Sequence, residues 1–219
     1  RRDRKNDQKP FKTVAFPIER SVDLIRQAKP AKSKTFYRDM TLYSLLAATG
    51  ARSSEALQVR MPDIDDDEFA VFLRDPFARK TPGITEDEYQ FLAWKGRVTE
   101  MTFMIEPFAG MFWENLEKYL TREYNSSVDH DFLFQNLDGR PFFASDRSSR
   151  DKTFKSYAQK AGVEDVTGIS AHSLRHMYGT YTLNYLPVPG QSIPGLPLAY
   201  VKILMGHASA SSTMKYAKH

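Results

Sequence analysis

The sequence predicts a mainly helical α+β domain that contains one small three-stranded antiparallel sheet. Apolar residues recur every three or four positions in segments on both sides of the chain's middle, which is the period of a helix with one buried face. Three short stretches between residues 69 and 105 are instead rich in β-branched and aromatic residues. With 219 residues, 41% of them hydrophobic, the chain is long enough to bury one core.

Helical patterns lie both before and after the predicted sheet. They cover residues 18–29, 33–48 and 53–59, and then 109–124, 148–161, 172–185, 198–205 and 211–218. At the start of the third helix, Ser53 or Ser54 can act as the N-cap, and Glu55 lies favourably near the positive end. Gly162 is expected to end the helix over 148–161, since glycine readily adopts the left-handed conformation found after helices.

The predicted sheet lies in the first half of the chain. Its three strands are assigned to residues 69–73, 89–94 and 98–105. Residues 75–88 are polar and contain prolines, which predicts an extended loop between the first two strands. Lys95 and Gly96 are expected to form a tight turn between the second and third strands.

The domain is expected to span residues 18–219. Residues 1–17 are basic, contain prolines and lack an apolar period, so we interpret them as a linker or arm before it. No run approaches the roughly 18 apolar residues of a membrane span, and no signal peptide precedes the domain. The chain has no cysteine, which excludes disulfides, thiolate metal sites and a cysteine nucleophile, and is compatible with a soluble protein of the reducing cytoplasm.

The charge balance favours an anionic partner. The net charge is +4 and the pI is about 9.1, and basic side chains that neutralise phosphates release counterions. Four basic residues near the middle of the second half either follow a DNA backbone or form a solvated face: Arg147, Arg150, Lys152 and Lys155. The composition therefore predicts nucleic acid as one possible partner.

Five residues each have an ordinary structural explanation when they are considered singly: Arg52, His172, Arg175, His207 and Tyr216. Together they lie in four strings that occur in a fixed order: ATGARSSEAL at 48–57, HSLRH at 172–176, LMGH at 204–207 and TMKY at 213–216. This order resembles the tyrosine recombinase or phage integrase family, whose catalytic set is an arginine, a lysine in a β-turn, a His-x-x-Arg pair, a His or Trp, and a tyrosine. The resemblance covers about residues 35–219 and implies the catalytic-domain fold of that family.

By this resemblance, Arg52 and Arg175 clamp the scissile phosphate. A guanidinium offers paired donors to two phosphate oxygens and stays charged, so it stabilises the charge that builds up in the transition state. The resemblance makes Tyr216 the nucleophile, helped by the two arginines, which favour the phenolate. It assigns acid/base work to His172 and a hydrogen bond to a phosphate oxygen to His207, although a structural contact that holds the last helices together stays open for His207.

The departing 5′-oxygen needs a proton, which a lysine can supply. Lys95 and Lys80 are both candidates, and we favour Lys95 because it lies in the predicted turn between strands, where the family has its lysine. Glu55 resembles the family's acidic residue after the first arginine and is expected to hold Arg52 or cap a helix. His176 is expected to make a buried structural hydrogen bond.

The resemblance therefore implies a site-specific recombinase or integrase that cuts and rejoins DNA through a 3′-phosphotyrosine. No cofactor is expected, because the sequence has neither a His-Glu-x-x-His zinc motif nor a phosphate-binding glycine loop. The expected partners are duplex DNA at specific sites, further copies in a homotetramer of the full-length form, and possible accessory proteins. A type IB topoisomerase and a DNA-binding module without catalysis are the alternatives. Among recombinases, the loop insertions favour the integrase of a mobile genetic element over a chromosome-dimer resolvase.

Three features depart from the ordinary family pattern. Arg175 and His207 are 32 positions apart, and the excess is a Pro- and Gly-rich stretch over 186–197 that we interpret as an inserted loop. The loop over 75–88 is also enlarged. The chain ends three residues after Tyr216, and its start resembles the linker that follows a helical core-binding domain, so we expect a catalytic fragment.

Overall fold

The computed structural model describes residues 14–207 and 209–217. Most of the predicted linker or arm, residues 1–13, lies outside these described residues. The remainder of it joins the core: Phe16 is 1% exposed, its ring packs edge-on against Phe154, and its N–H donates to the carbonyl of Ser173 at 3.0 Å. The packed domain therefore begins before residue 18, because a phenylalanine buries a large apolar surface when it inserts between helices.

The described residues form a mainly helical domain with a small antiparallel sheet, as the sequence predicts. The helices are α1 (Ile18–Ile25), α2 (Phe36–Thr49), α3 (Ser53–Leu57), α4 (Glu86–Tyr89), α5 (Phe108–Arg122), α6 (Arg147–Lys160), α7 (His172–Asn184), α8 (Leu198–Leu204) and α9 (Ser211–Met214). The strands are β1 (Ile64–Asp65) and β2 (Ala70–Val71), which pair with Ile64 opposite Val71. None of these helices is long and apolar enough to cross a membrane.

The sheet differs from the prediction in its strand count. Of the predicted strand at 89–94, Tyr89 ends α4, residues 90–91 form a turn, and residues 92–94 have no regular structure. Thr85 explains the difference: its hydroxyl accepts from the N–H of Glu88 at 3.2 Å, and the Glu88 carboxylate accepts from the N–H of Thr85 at 2.8 Å. This capping box stabilises a helical turn, and it outweighs the β propensity of the aromatic residues that follow.

The predicted first and third strands do lie side by side, although only part of the first is regular strand. Leu73 donates its N–H to the carbonyl of Glu100 at 2.8 Å, and Thr102 donates to the carbonyl of Val71 at 3.0 Å. In the described residues this pairing amounts to one isolated bridge, between Phe72 and Met101. The segment 98–105 is therefore extended beside β2 without forming a continuous ladder.

Helix α2 forms the centre of the core. Nearly every one of its residues is buried, and it packs against both α5 and α7. A helix surrounded on all sides needs apolar or internally bonded side chains all round, which explains its weak amphipathic pattern. It ends at Gly50, which is left-handed with φ 60°, and a Cβ there would come within 2.3 Å of the Tyr178 ring. Glycine is required at this position, which lies two residues before Arg52 in the string at 48–57.

Candidate active site

A cleft of about 1010 Å³ opens beside α3, α6 and α7. Five of the six predicted site residues line it: Arg52, Lys95, His172, Arg175 and His207. They come from separate parts of the sequence, so the fold brings the predicted set together. The sixth, Tyr216, is 5% exposed and does not line the cleft, although its ring lies against one of the cleft histidines.

Arg52 is the N-cap residue of α3. Its backbone N–H donates to a Glu55 carboxylate oxygen at 2.9 Å, and its side chain pairs with the other oxygen of the same carboxylate. The remaining nitrogen, Nη2, donates to the carbonyl of Gly206 at 2.6 Å. Glu55 therefore both caps α3 and holds Arg52, which are the two alternatives that the sequence leaves open.

Arg175 lies inside α7 and is 2% exposed. Its Nη1 donates to the carbonyl of Gly50 at 2.6 Å, and its Nη2 donates to the carbonyl of Met205 at 2.7 Å. Burial, and then the nearby charge of Arg52, lower the pKa of Arg175 to about 10. The guanidinium is still charged at neutral pH, because its proton is lost only above that value.

Sequence reasoning missed Arg97. Its side chain is 1% exposed, and Nη1 donates to Glu55 at 3.0 Å. Nη2 donates to the carbonyl of Leu204 at 2.6 Å, and Nε donates to that of Thr99 at 3.3 Å. The available signal was its spacing, two residues after Lys95, but nothing local distinguishes it from a solvated arginine.

The end of α8 is held by three arginines. Three consecutive carbonyls, those of Leu204, Met205 and Gly206, accept in turn from Arg97, Arg175 and Arg52. The last carbonyls of a helix have no partner within the helix and carry partial negative charge, so cations bind them well. The segment that leads into His207 is thereby fixed against the two arginines expected at the phosphate.

Three half-buried or buried histidines share the site. His172 and His176 lie one turn apart on α7, with ring centroids 5.0 Å apart, and His207 accepts or donates a 2.9 Å hydrogen bond with the hydroxyl of Thr213. Burial, followed by the charge of Arg175, lowers the pKa of His172 to about 4 and that of His207 to about 3. Both imidazoles are therefore neutral at pH 7 and able to accept a proton.

The expectation for His176 is wrong. It makes ring contacts, with centroids 5.0 Å from His172 and 5.4 Å from Tyr216, but no hydrogen bond to any residue in 14–207 or 209–217. Burial, and then the neighbouring His172, lower its pKa to about 4. His176 is only partly buried, and its ring nitrogens are not among the buried atoms without a partner in the described residues, so the ring packs against its aromatic neighbours without a large desolvation cost.

Tyr216 follows α9, and its ring stacks on His207 with centroids 6.0 Å apart and planes 13° apart. Its hydroxyl is buried without a hydrogen-bond partner in the described residues. Arg175 and Arg52 favour the phenolate, as expected, but burial outweighs them, so the pKa of Tyr216 is raised. The arginines alone therefore do not make the phenol a nucleophile at neutral pH.

The structure separates the two candidate lysines. Lys95 is exposed and lines the cleft, beside Gly96, which has φ 77° and open space around the position of a Cβ in the described residues. Lys80 lies away from the cleft-lining residues, and its carbonyl accepts from Arg60 at 2.7 Å. The geometry thus favours Lys95. Gly96 has the expected positive φ, but residues 92–97 have no regular structure, so the predicted tight turn between two strands is not formed.

The basic residues predicted at α6 differ in their availability. Arg147 has an 84% exposed side chain and lines the cleft. Arg150 also lines it, but its Nη1 donates to the carbonyls of Phe142 and Phe143 at 3.2 and 3.3 Å. Lys152 and Lys155 are not among the cleft-lining residues. Arg147 is therefore the cation of this group that is free to meet an anion in the cleft.

Known proteins resemble this chain in sequence and in fold. The chain is 28% identical over 202 residues to tyrosine recombinase XerC of Staphylococcus carnosus (strain TM300), a match that covers 92% of this chain and 56% of that protein. The chain thus spans a little over half the length of the curated relatives that it matches.

Solved structures share the fold. XerH recombinase bound to difH substrate in a pre-cleavage complex aligns with a TM-score of 0.64 and 21% identity, over 95% of this chain and 51% of that one. The Tn1549 transposon integrase in complex with circular intermediate DNA aligns with a TM-score of 0.63 and 16% identity, over 98% and 63%. The model of the phage integrase family matches residues 19–219, and the chain belongs to that family.

Proposed function

We propose that this chain is the catalytic part of a site-specific DNA recombinase or integrase, which cuts and rejoins DNA through a 3′-phosphotyrosine formed by Tyr216. The observation that carries the proposal is the convergence of Arg52, His172, Arg175 and His207 on one cleft, with Tyr216 stacked on His207. A binding module would not need one buried and one partly buried arginine together with neutral histidines around a tyrosine. Membership of the phage integrase family supports the same conclusion.

The two arginines stabilise the transition state. During transfer, negative charge concentrates on the oxygens of the scissile phosphate, and Arg52 and Arg175 supply fixed donors to these oxygens. Their nitrogens already hold carbonyls of the loop before His207, so the guanidinium planes are oriented before substrate arrives. Such preorganisation lowers the barrier because little rearrangement remains to be done during the reaction.

The tyrosine must lose its proton to attack. His172 is neutral and lines the cleft into which Tyr216 must turn, so it takes this proton there, while His207 donates to a phosphate oxygen. The phenol oxygen then forms a bond to phosphorus as the bond from phosphorus to the 5′-oxygen breaks. That electron pair stays on the 5′-oxygen, which receives a proton from the Lys95 ammonium.

The side chain of Tyr216 must turn towards the cleft before this step. It is 5% exposed, does not line the cleft, and belongs to the short C-terminal helical region after residue 208. Its hydroxyl forgoes a hydrogen bond in its buried position, so rotation outward breaks no hydrogen bond with a described residue. DNA binding supplies the phosphate that favours the outward position.

The proposal extends to the partners and the setting. The substrate is duplex DNA at specific sites, bound by a homotetramer of the full-length protein with possible accessory proteins, without metal or ATP. The Pro- and Gly-rich loop over 186–197 and the likeness to a transposon integrase support the recombinase of a mobile genetic element. We place the reaction in the cytoplasm, a compartment with which a chain without cysteine is compatible.

The first test is capture of the covalent adduct. The full-length protein is incubated without metal on a duplex that carries its candidate site and a nick beside the cleavage position, and the products are separated on a denaturing gel. The nick lets the short 5′-product diffuse away, so the phosphotyrosine accumulates. We expect a protein–DNA adduct for the wild type and none for Tyr216→Phe.

Two outcomes would contradict the proposal. Protein that binds the site but never becomes linked to it would indicate a binding module. An adduct that persists in Tyr216→Phe would assign the nucleophile to another residue. Tyr200→Phe is the matched control, because it removes the hydroxyl of an exposed tyrosine on α8 and should leave the adduct unchanged.

A further inference from the structure

The Lys95-Gly96 segment is anchored on one side to the C-cap residue of α3 and on the other side to α3 itself. On one side, the Gln58 amide both donates to the carbonyl of Ala93 and accepts from its N–H, each at 3.1 Å. On the other side, Arg97 donates to Glu55 at 3.0 Å. Glu55 and Gln58 are 3% and 4% exposed, so both anchors lie away from water.

The same helix holds Arg52. Arg52 is the N-cap of α3, and Glu55 binds it through both its backbone N–H and its side chain. A single carboxylate therefore joins Arg52 to Arg97, two residues after Lys95. The position of this segment is therefore tied directly to Arg52 through Glu55, in addition to the hydrogen bonds that hold residues 100–102 beside β2.

Lys95 itself is left free between these anchors. Its side chain is exposed, and Gly96 has open space around the position of a Cβ in the described part of the chain. Arg97, in contrast, has a 1% exposed side chain and also binds the carbonyl of Leu204 at 2.6 Å. The segment thus combines an exposed cation, Lys95, with a buried arginine, Arg97, that donates to the segment before His207.

From this juxtaposition we propose that Arg97 is a positioning residue, which acts through Glu55 and α3 to hold the Lys95 ammonium beside the phosphate that Arg52 binds. This inference rests on the proposed function. Arg97 does not touch the reacting atoms. It holds the Lys95 ammonium at a fixed position relative to the Arg52 guanidinium.

Placement matters because proton transfer is sensitive to distance. Lys95 must reach the 5′-oxygen while the bond from phosphorus to that oxygen breaks, and a displacement of about 1 Å can cost about 10²-fold in rate. Without the Arg97 side chain, the segment keeps the Gln58 anchor and the hydrogen bonds of residues 100–102 to β2 and Leu73, but loses its link to Glu55 and Arg52. We expect Lys95 to remain charged but its ammonium to lie too far from the 5′-oxygen for efficient proton transfer.

A substrate with a better leaving group tests this directly. The duplex that gives the covalent adduct is synthesised with sulfur in place of the bridging 5′-oxygen at the cleavage position. A thiolate leaves without receiving a proton, so this substrate does not need the ammonium of Lys95. Single-turnover rates of adduct formation are then measured on the oxygen and sulfur duplexes with the full-length protein.

We expect Arg97→Ala to slow cleavage of the oxygen substrate by about 10²-fold, the lower end of what general acid catalysis contributes, and to cleave the sulfur substrate at nearly the wild-type rate. Lys95→Ala should show the same selective rescue. Arg97→Lys keeps a cation beside Glu55 but cannot reach Leu204 as well, so its defect should be smaller and also rescued. It replaces Arg97→Ala in the comparison if the alanine variant does not fold.

Arg79→Ala is the matched control, since Arg79 also pairs with a buried carboxylate, that of Asp63, but lies outside the cleft lining. It should affect both substrates equally. An equal loss on both substrates for Arg97→Ala, or no loss on either, would overturn the positioning role. Wild-type protein that forms no adduct with either substrate would instead contradict the proposed function, and the inference with it.

Discussion

At the scale of single residues, the site is organised by buried cations. Arg175 is almost fully enclosed, and its charge adds to burial in lowering the pKa of His172 and of His207. A histidine in the low-dielectric surroundings of an arginine is easier to keep neutral than protonated. The arginines that are expected to hold a phosphate thus also keep their neighbouring imidazoles neutral at pH 7.

This arrangement makes stability depend on pH. The pKa of His176 is about 4 in the folded protein and 6.5 at its ordinary value, so the unfolded chain binds more protons between these pH values. The stabilising contribution of neutral His176 is therefore fully present above about pH 6.5, and the free energy of unfolding decreases as the pH falls towards 4. We expect His176→Gln to reduce the fall in unfolding free energy between pH 7 and pH 4.5, measured by urea denaturation.

The comparison between pH 7 and pH 8 is the internal control for this prediction. His176 is neutral in both the folded and the unfolded chain over most of that range, so wild type and variant should change in parallel. A wild type and a variant that lose equal stability down to pH 4.5 would show that His176 does not titrate in this window.

Sequence reasoning reached these residues unequally. Arg52, His172 and Tyr216 stand in recognisable strings, and the fold does gather the strings at one cleft. The raised pKa of Tyr216 was not predictable, because burial is a property of the packed chain and outweighs the arginine charges. Arg97 was not predictable either, since its partners are 42 and 107 positions away.

At the scale of elements, the segment after α8 is the most constrained part of the site. Gly206 adopts φ 62°, and a Cβ there would lie 3.1 Å from Cγ of Arg97 and 3.5 Å from Nη1 of Arg52. Its own carbonyl accepts from Arg52. The glycine is therefore needed both for its backbone conformation and for the close approach of two arginines.

We predict that Gly206→Ala lowers the free energy of unfolding by more than the backbone strain of the new alanine. A left-handed alanine costs about 1–2 kcal/mol, and the added methyl must also displace Arg97. Gly190→Ala is the matched control, because Gly190 has φ 79° but open space around its Cβ position in the described residues. Urea denaturation should show a larger loss for Gly206→Ala, and adduct formation should fall only in that variant. Equal losses in stability, with adduct formation intact, would contradict the constraint.

The elements show which local signals are strong enough to predict. The long helices were recognised because their apolar period repeats over several turns, and α6 does end before Gly162, which has φ 85°. Residues 89–94 were misassigned because a four-residue helix presents too short a pattern, although the Thr85 and Glu88 capping box was visible in the sequence. Burial of Phe16 depends on a groove built from distant helices and has no local signal.

At the scale of the whole molecule, the net charge of +4 is a poor guide to the surface that meets DNA. Several arginines outside the proposed phosphate site are held by internal hydrogen bonds: Arg38, Arg60, Arg97 and Arg150 all donate to protein carbonyls or carboxylates. These cations stabilise the fold and do not release counterions from a phosphate. The affinity for DNA must therefore depend on the cations that remain free at the cleft.

Arg147 provides the test of this view. Its side chain is 84% exposed, lines the cleft and has one loose pairing with Asp151 at 3.9 Å. If it neutralises one phosphate, Arg147→Ala should reduce the slope of log affinity against log salt by about 0.9. Fluorescence anisotropy with a labelled duplex, at several salt concentrations, measures the slope.

Arg20→Ala serves as the control. Arg20 is also an exposed helical arginine with a loose pairing, 3.7 Å from Asp23, but it lies on α1, outside the cleft lining. Both variants lower the net charge by one, so a long-range effect of charge alone would change the two slopes equally. A reduced slope for Arg147→Ala alone would place one end of the DNA contact at the start of α6, since counterions are released only where a cation meets a phosphate. Equal slopes in both variants would mean that the cleft does not concentrate the binding charge.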